Sequence, residues 1–351
     1  MNKKYVAYVG SYTFHGKSKG IAIFDVDLQA GRFHKRKEIE VNNSSYLTLS
    51  HNQKFLYSIV DDGVAAFEIL DNGDLKHLNT ASIKGMRGCF LTTDMEDRYL
   101  VTAGYHDGKM TVLQLNEDGS VGKITAEVFD RGVGSVAERN FRPHISCVQF
   151  TQDNNYLCMV DLGIDQVKVY RFDPKDGTIR LVDIIHCELN SAPRHLRFSS
   201  DGKFMYLISE LKNYISVYKY GYDERQPKFE LLQKISTVGK KCDTLSAACA
   251  LRFSPDEKHI FCTNAGDNSI GIFSRDEQSG LLTQETVLPV SGDYPKDVAV
   301  FPDQKHVVSI NQDANTLTYF HLDYEKKLII MNGLADKLDN GNCCVIVEVE
   351  K

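Results

Sequence analysis

A pattern of three short apolar runs separated by polar turns recurs along the chain and constrains its fold more than any other feature. The clearest copy has runs at residues 250–253, 260–262 and 269–273, with the turn Ser254-Pro255-Asp256-Glu257 after the first. Five further copies centre on the turns Ser50-His51-Asn52, Asp94-Met95-Glu96, Thr151-Gln152-Asp153, Ser199-Ser200-Asp201 and Phe301-Pro302-Asp303. Apolar residues alternate within the runs, as strands require. A spacing of ~45–55 residues per copy is typical of four-stranded propeller blades.

The two ends of the chain together predict a seventh unit. Residues 5–10 and 20–26 form two strand-like runs, and residues 343–349 form another that can pair beside residues 5–10. Such pairing closes a ring and hides sheet edges that would otherwise template aggregation. The sequence therefore predicts an all-β fold, a single seven-bladed β-propeller domain over residues 1–351. Its blades are four-stranded and antiparallel, and the N- and C-terminal strands close the ring. The chain has no Trp, so the WD-repeat type is excluded.

Composition favours a soluble, cytoplasmic protein. Apolar residues make up 42% and charged residues 25%, and the formal charge of -6 argues against binding to nucleic acid or an anionic membrane. The chain has no run of the ~18–20 apolar residues needed to span a bilayer. The start Met1-Asn2-Lys3-Lys4 leads directly into a strand-like run, so no signal peptide is expected. The nine cysteines contain no CxxC pair, which fits free thiols in a reducing compartment.

Propeller geometry predicts which residues meet at one mouth of the central channel. Because the strands of a blade are antiparallel, the start of the innermost strand and the end of the next strand lie at the same face. Residues near the starts of innermost strands are Arg142, His144, Arg194, His195 and Lys296. Residues that follow second strands are Tyr105, Asp161, Glu210, Asn264 and Gln312. An insertion at residues 130–142 adds Arg139. Such a mouth suits a small anionic molecule, since arginine binds carboxylate or phosphate through two parallel hydrogen bonds.

Each of these residues also has a purely structural interpretation. Arg194 and Glu210 can form an ion pair between blades, and His144 and His195 can be hydrogen-bonded structural histidines. Asp161 can be a turn-forming aspartate, and Lys296 can be a solvated charge. No metal site or cofactor is predicted, because the sequence contains no metal-ligand spacing, phosphate loop or dinucleotide glycine motif.

These residues and several short motifs resemble the propeller-type lactonases, which include bacterial 6-phosphogluconolactonases and fungal carboxymuconate-lactonising enzymes. The matching stretches are Gly10-Ser11-Tyr12-Thr13, Pro143-His144, Asp161-Leu162-Gly163, Pro193-Arg194-His195, Ser209-Glu210-Leu211, Phe253-Ser254-Pro255-Asp256, Ser269-Ile270 and Asn311-Gln312. The resemblance implies a channel histidine at His144, a substrate-binding arginine at Arg194 and its acidic partner at Glu210. It also implies that His144 or Glu210 is the general base.

The chain departs from that family pattern at several channel positions. A second histidine often stands where this chain has Ser146, a glutamate near Ala250, and an arginine where it has Ala265. Three hypotheses are therefore open: a lactonase that hydrolyses a sugar lactone such as 6-phosphogluconolactone, a muconate-type lactonising enzyme, and a propeller that binds a small anion or a protein partner without catalysis. The oligomeric state is not predicted.

Overall fold

Alternating apolar residues form short strands that pair with their neighbours in chain order. The structure, a computed structural model, describes residues 3–14, 16–135, 140–240, 242, 245–326 and 328–349. The strands formed by these residues are β1 (Lys4–Ser11), β2 (Gly20–Asp27), β3 (Arg32–Glu40), β4 (Leu47–Leu49), β5 (Phe55–Val60), β6 (Gly63–Ile69), β7 (Leu75–Ser82), β8 (Phe90–Thr93), β9 (Tyr99–Gly104), β10 (Lys109–Leu115), β11 (Val121–Phe129), β12 (Ile145–Phe150), β13 (Tyr156–Asp161), β14 (Gln166–Asp173), β15 (Thr178–His186), β16 (Pro193–Phe198), β17 (Phe204–Ser209), β18 (Tyr214–Asp223), β19 (Gln226–Ser236), β20 (Ala247–Phe253), β21 (His259–Ala265), β22 (Ser269–Arg275), β23 (Leu282–Pro289), β24 (Pro295–Val300), β25 (His306–Asn311), β26 (Thr316–Asp323), β27 (Leu328–Met331), β28 (Asp336–Lys337) and β29 (Gly341–Val349). A single 3-10 turn, Leu162–Ile164, lies between β13 and β14 in the described part of the chain.

The strands form seven antiparallel sheets, which confirms the predicted fold class. Blade 1 has the order β29-β1-β2-β3, and blades 2 to 6 follow as β4–β7, β8–β11, β12–β15, β16–β19 and β20–β23. Blade 7 is β24–β27, with β28 also paired to β26. The predicted ring closure is confirmed as well, since β29 pairs antiparallel with β1 from Lys4 opposite Val349 to Ser11 opposite Gly341.

The innermost strands of blades 1 to 7 are β29, β4, β8, β12, β16, β20 and β24. Each contacts the next around the channel, and β24 contacts β29 to complete the circle. Burial is greatest in the second strand of each blade and lowest at the perimeter. All six residues of β13 are buried, whereas the perimeter strand β15 alternates between exposed and half-buried residues. The second strands are covered on both faces by neighbouring blades, so most of their residues are apolar, whereas perimeter strands have one face in water.

Tyrosines on the second strands link successive blades. The hydroxyl of Tyr8 donates to Gly73 O at 2.9 Å, that of Tyr57 to Gly119 O at 3.1 Å and that of Tyr206 to Gly280 O at 2.8 Å. Each acceptor lies in the outer hairpin of the next blade. These bonds satisfy the buried hydroxyl groups and join each blade to its neighbour far from the channel.

The described cysteines are all free. No helix among the described residues has the length and apolar character needed to cross a membrane.

Candidate active site

Five innermost strands have a β-bulge near their start, and in four of them, β12, β16, β24 and β29, the residue left out of the ladder lines the channel mouth. In the pairing of β12 with β13, Ile145 lies opposite Asp161 and Cys147 opposite Val160, so Ser146 has no partner in the ladder. The same interruption leaves out Arg194 in β16, Lys296 in β24 and Asn342 in β29. A bulge re-aims the side chain of its extra residue, which explains why these four side chains line one cavity.

This cavity has a volume of about 210 Å³. Its size is below the ~300–1,000 Å³ of pockets for drug-sized ligands, so it suits a single small ring. The cavity is lined by Tyr12, Tyr46, Cys89, Tyr105, His106, Ser146, Arg194, His195, Glu210, Tyr294, Lys296, Asp297 and Asn342. Five of the residues predicted from the sequence are therefore brought together here: Tyr105, Arg194, His195, Glu210 and Lys296.

Arg194 and Glu210 form an ion pair in the cavity wall, within blade 5 rather than between blades. Their side chains are 18% and 2% exposed. Burial opposes the charge of Arg194, but the negative charge of Glu210 holds the pKa of Arg194 above its usual value. The Nε of Arg194 is buried and has no hydrogen-bond partner among the described residues. A buried donor without a protein partner is rare, and this one is available to an acceptor on a bound molecule.

Further cations surround His195 on the channel side of blades 5 to 7. Burial, followed by the charges of Arg194, Arg197, Arg252 and Lys296, holds the pKa of His195 well below its usual value. The imidazole is therefore neutral at neutral pH. Arg252 is compensated by Asp297, with Nε and Nη2 donating to the two carboxylate oxygens at 3.0 and 2.7 Å. Lys296 has no carboxylate within 4.0 Å among the described residues, so the site carries uncompensated positive charge.

The structure places His144 behind Tyr105 rather than in the cavity lining. The His144 ring stacks on Tyr105 at 4.3 Å between centroids, and Phe141 meets it edge-on at 5.9 Å. The Nδ1–H donates to Tyr105 O at 2.7 Å, because a carbonyl oxygen only accepts. Burial lowers the pKa of His144. In this position His144 supports the wall residue Tyr105.

Four more sequence-predicted residues lie outside the cavity lining. Asp161 is fully buried, and its Oδ1 accepts from the backbone of His144 and Gly163 at 2.9 Å each. Asn264 is also fully buried and donates to Thr237 O and Ser269 Oγ. Arg142 is exposed and donates to His106 O at 3.1 Å. Gln312 contributes its backbone N–H to Tyr294 O at 3.0 Å. Arg139 lies outside the described residues.

The departures from the family pattern have structural roles here. Ser146 lines the cavity and donates its hydroxyl to Arg194 O at 2.8 Å, which ties blade 4 to blade 5. Ala250 and Ala265 are each 1% exposed in blade 6, and neither lines the cavity.

Several residues that line the cavity were not predicted from the sequence: Tyr12, Tyr46, Cys89, His106, Tyr294, Asp297 and Asn342. Two had an available signal. His106 directly follows Tyr105 after a second strand, and Tyr294-Pro295-Lys296 repeats the pattern of Ala192-Pro193-Arg194 two blades earlier. The others depend on the bulges and on loop geometry, for which the sequence has no periodic signal.

The residues of the cavity wall give little support to a mechanism with a nucleophilic side chain or a metal ion. Burial raises the pKa of Cys89 to about 12, so it is a thiol at neutral pH and a weak nucleophile. The hydroxyl of Ser146 donates to backbone carbonyls rather than to a base. The described residues contain no cluster of three or more His, Cys, Asp or Glu that could hold a metal ion. Activation of water beside a buried carboxylate–guanidinium pair is the chemistry that this wall offers.

Comparison with known proteins gives one consistent result. The profile of a family described as "Lactonase, 7-bladed beta-propeller" matches residues 6–346. A 6-phosphogluconolactonase of Bacillus subtilis (strain 168) is 31% identical over 328 residues, which cover 92% of this chain and 92% of that protein. Another 6-phosphogluconolactonase, from Formosa agariphila, is 30% identical over 331 residues, covering 91% and 92%. The solved structure of a periplasmic gluconolactonase from Pseudomonas aeruginosa has a TM-score of 0.91 at 25% identity and covers 99% of each chain.

Proposed function

Since the chain belongs to the seven-bladed β-propeller lactonases, we propose that it hydrolyses a sugar lactone, such as 6-phosphogluconolactone, in the cavity at the channel mouth. The observation that carries the proposal is the buried Arg194–Glu210 pair with its unpartnered Nε. The names of the relatives favour hydrolysis over the muconate-type alternative.

Glu210 is proposed as the general base. A carboxylate has about four acceptor sites, so Glu210 can accept from a water as well as from Arg194. The water loses a proton to Glu210 as its oxygen adds to the lactone carbonyl carbon. The ring C–O bond then breaks, and the ring oxygen takes the proton back from Glu210 and becomes a hydroxyl group, which restores the carboxylate. General-base assistance of this kind contributes ~10²–10⁴-fold to the rate.

Arg194 is proposed to stabilise the developing oxyanion through its Nε–H. Donors aimed at a developing charge are effective because they are already oriented and shielded from water, and loss of one costs ~10²–10³-fold in kcat. His144 has the role of a positioning residue in this scheme, because it holds Tyr105 in the wall.

The proposal includes the cytoplasm as the site of action and a small anionic lactone as the partner. The free cysteines support a reducing compartment. The Pseudomonas aeruginosa relative, by contrast, is periplasmic.

The test compares hydrolysis of 6-phosphogluconolactone and gluconolactone by the wild type, Glu210→Gln and Arg194→Lys, with the spontaneous rate subtracted. Glutamine keeps the shape of Glu210 but is not a base, so we expect kcat to fall by ~10²–10⁴-fold. Glu188→Gln is the matched control, since Glu188 forms ion pairs with Lys212 and Lys234 at the surface. A wild type that binds sugar acids but hydrolyses neither lactone above background would reject the enzyme and support the non-catalytic alternative.

A further inference from the structure

Tyr294 has a backbone conformation that a bulky residue rarely adopts. Its φ is 55°, and it is the only aromatic among the described non-glycine residues with positive φ. The left-handed region is unfavourable for such residues because Cβ crowds the backbone. Conformations of this kind persist where the surroundings impose them, and they are concentrated at functional sites.

The surrounding backbone explains the turn but does not explain the tyrosine. The N–H of Tyr294 donates to Asn268 Oδ1 at 2.9 Å, and its carbonyl accepts from Gln312 N at 3.0 Å. Ala192 has the same pattern two blades earlier, with φ 51°, its N–H donating to Asp165 Oδ1 and its carbonyl accepting from Glu210 N. An alanine therefore suffices for the turn, and the turn itself does not require an aromatic ring.

In both blades the left-handed turn leads directly into a bulged, positively charged residue. Each left-handed residue is followed by a proline and then by the bulged cation, Arg194 in blade 5 and Lys296 in blade 7. Both cations line the cavity. In blade 7 the residue at the turn lines it too, and Lys296 Nζ lies 5.3 Å from the centroid of the Tyr294 ring.

The two cations differ in whether a neighbouring carboxylate balances their charge. Arg194 has the carboxylate of Glu210, whereas Lys296 has no carboxylate within 4.0 Å among the described residues. Burial, and then the charge of Arg194, lowers the pKa of Lys296. A half-buried ammonium without a nearby carboxylate is unfavourable, and an anionic group of a ligand would relieve that cost.

We propose that Tyr294 and Lys296 form a recognition subsite for the substrate, in which the tyrosine ring packs on the sugar ring and the lysine binds an anionic substituent remote from the lactone carbonyl. This subsite rests on the proposed function and deepens it. It assigns the reacting carbonyl to the Arg194–Glu210 side of the cavity and the remote charge to the blade 7 side.

The test measures equilibrium binding of gluconate and 6-phosphogluconate, which differ only by the phosphate, by calorimetry. Lys296→Met keeps the length of the side chain and removes its charge. We expect it to weaken 6-phosphogluconate binding by ~10–100-fold, the range for a hydrogen bond to a charged group, and to leave gluconate binding within twofold. Loss of the preference between the two compounds is the decisive readout, because a merely structural lysine would affect both equally. Lys203→Met, at an exposed lysine, is the control.

Tyr294→Asn tests the aromatic platform. Asparagine tolerates the left-handed backbone, as Asn340 does at the corresponding turn of blade 1 with φ 52°. We expect both compounds to bind at least tenfold more weakly while the melting temperature is unchanged or higher. Tyr294→Phe keeps the ring and should bind both compounds within about threefold of the wild type.

The outcomes separate the subsite from the proposed function. Unchanged binding by Tyr294→Asn, an unchanged preference in Lys296→Met, or no binding of either compound by the wild type would overturn the subsite. A wild type that shows the expected binding pattern but hydrolyses no lactone would leave the subsite standing and reject the lactonase.

Discussion

The carboxyl group of Asp161 is in contact with three chain segments near the cavity. One oxygen accepts from the backbone of His144 and Gly163. The other has no further hydrogen-bond partner among the described residues apart from the neighbouring Asp130, whose side chain is 4% exposed and is paired with Lys168. Burial, followed by the hydrogen bond and charge of Asp130, raises the pKa of Asp161 to about 8. The carboxyl group of Asp161 therefore keeps its proton at neutral pH, beside Asp130 at the start of the insertion.

The proton that Asp161 retains predicts a pH dependence of stability. Asp161 keeps a proton in the folded state that it loses in the unfolded state above its ordinary pKa of 3.8. Its contribution is therefore full below about pH 4, declines as the pH rises and is lost above about pH 8, with a slope of at most ~1.4 kcal/mol per pH unit. In Asp161→Asn the amide donates permanently to Asp130, so this dependence should vanish. Urea unfolding of both proteins from pH 4 to pH 9 is the measurement.

The ionisable groups that face Asp161 and Asp130 are the same in the wild type and in Asp161→Asn. Lys168 and Tyr170 on β14 and His144 before β12 remain in the variant. The wild type and the variant therefore differ only at Asp161, and the difference between their stability curves reports on that residue. Parallel stability curves for the wild type and Asp161→Asn would contradict the retained proton of Asp161.

The tyrosines that link neighbouring blades are expected to affect the stability of the fold but not the lactonase rate. Tyr57 is 1% exposed, and its hydroxyl donates to Gly119 O in the next blade. Tyr57→Phe removes this bond without changing the packing of the ring, so we expect a loss of ~1 kcal/mol in the free energy of unfolding and an unchanged lactonase rate. Denaturant unfolding measures the loss. Tyr5→Phe, which removes a hydroxyl near the surface, should change stability by less than ~0.5 kcal/mol; an equal loss in both variants would refute the role of the bond.

The strands also explain which features could be predicted from the sequence and which could not. The repeat period predicts the blades, and antiparallel strand direction predicts that Arg194 and Glu210 meet, because both depend only on alternation and order. The bulges at Ser146, Lys296 and Asn342 arise from a mismatch between two paired strands, which neither strand reveals alone. His144 was expected in the cavity because its backbone lies at the mouth. Its ring instead turns toward Tyr105 O, a contact between blades that no local pattern encodes.

The closed ring predicts that the last strand is indispensable to the first blade. β29 is the innermost strand of blade 1 and contacts both β4 and β24. A chain ending at Leu338 exposes the edge of β1, and we expect it to lose cooperative unfolding and to aggregate. A peptide of residues 339–349 added in trans should restore a monomeric fold, whereas the same peptide with Val347→Asp should not, since Val347 is 1% exposed. Circular dichroism and size-exclusion chromatography report both outcomes; a monomeric, cooperative truncated chain would refute the prediction.

The pairing of β29 with β1 also has a consequence for biosynthesis. Residues 4–11 are synthesised long before their partner, residues 341–349, because the two strands lie at opposite ends of the propeller sequence. Until β29 has been made, the nascent propeller therefore carries an unprotected edge along β1. Any product that stops before β29 keeps that open edge.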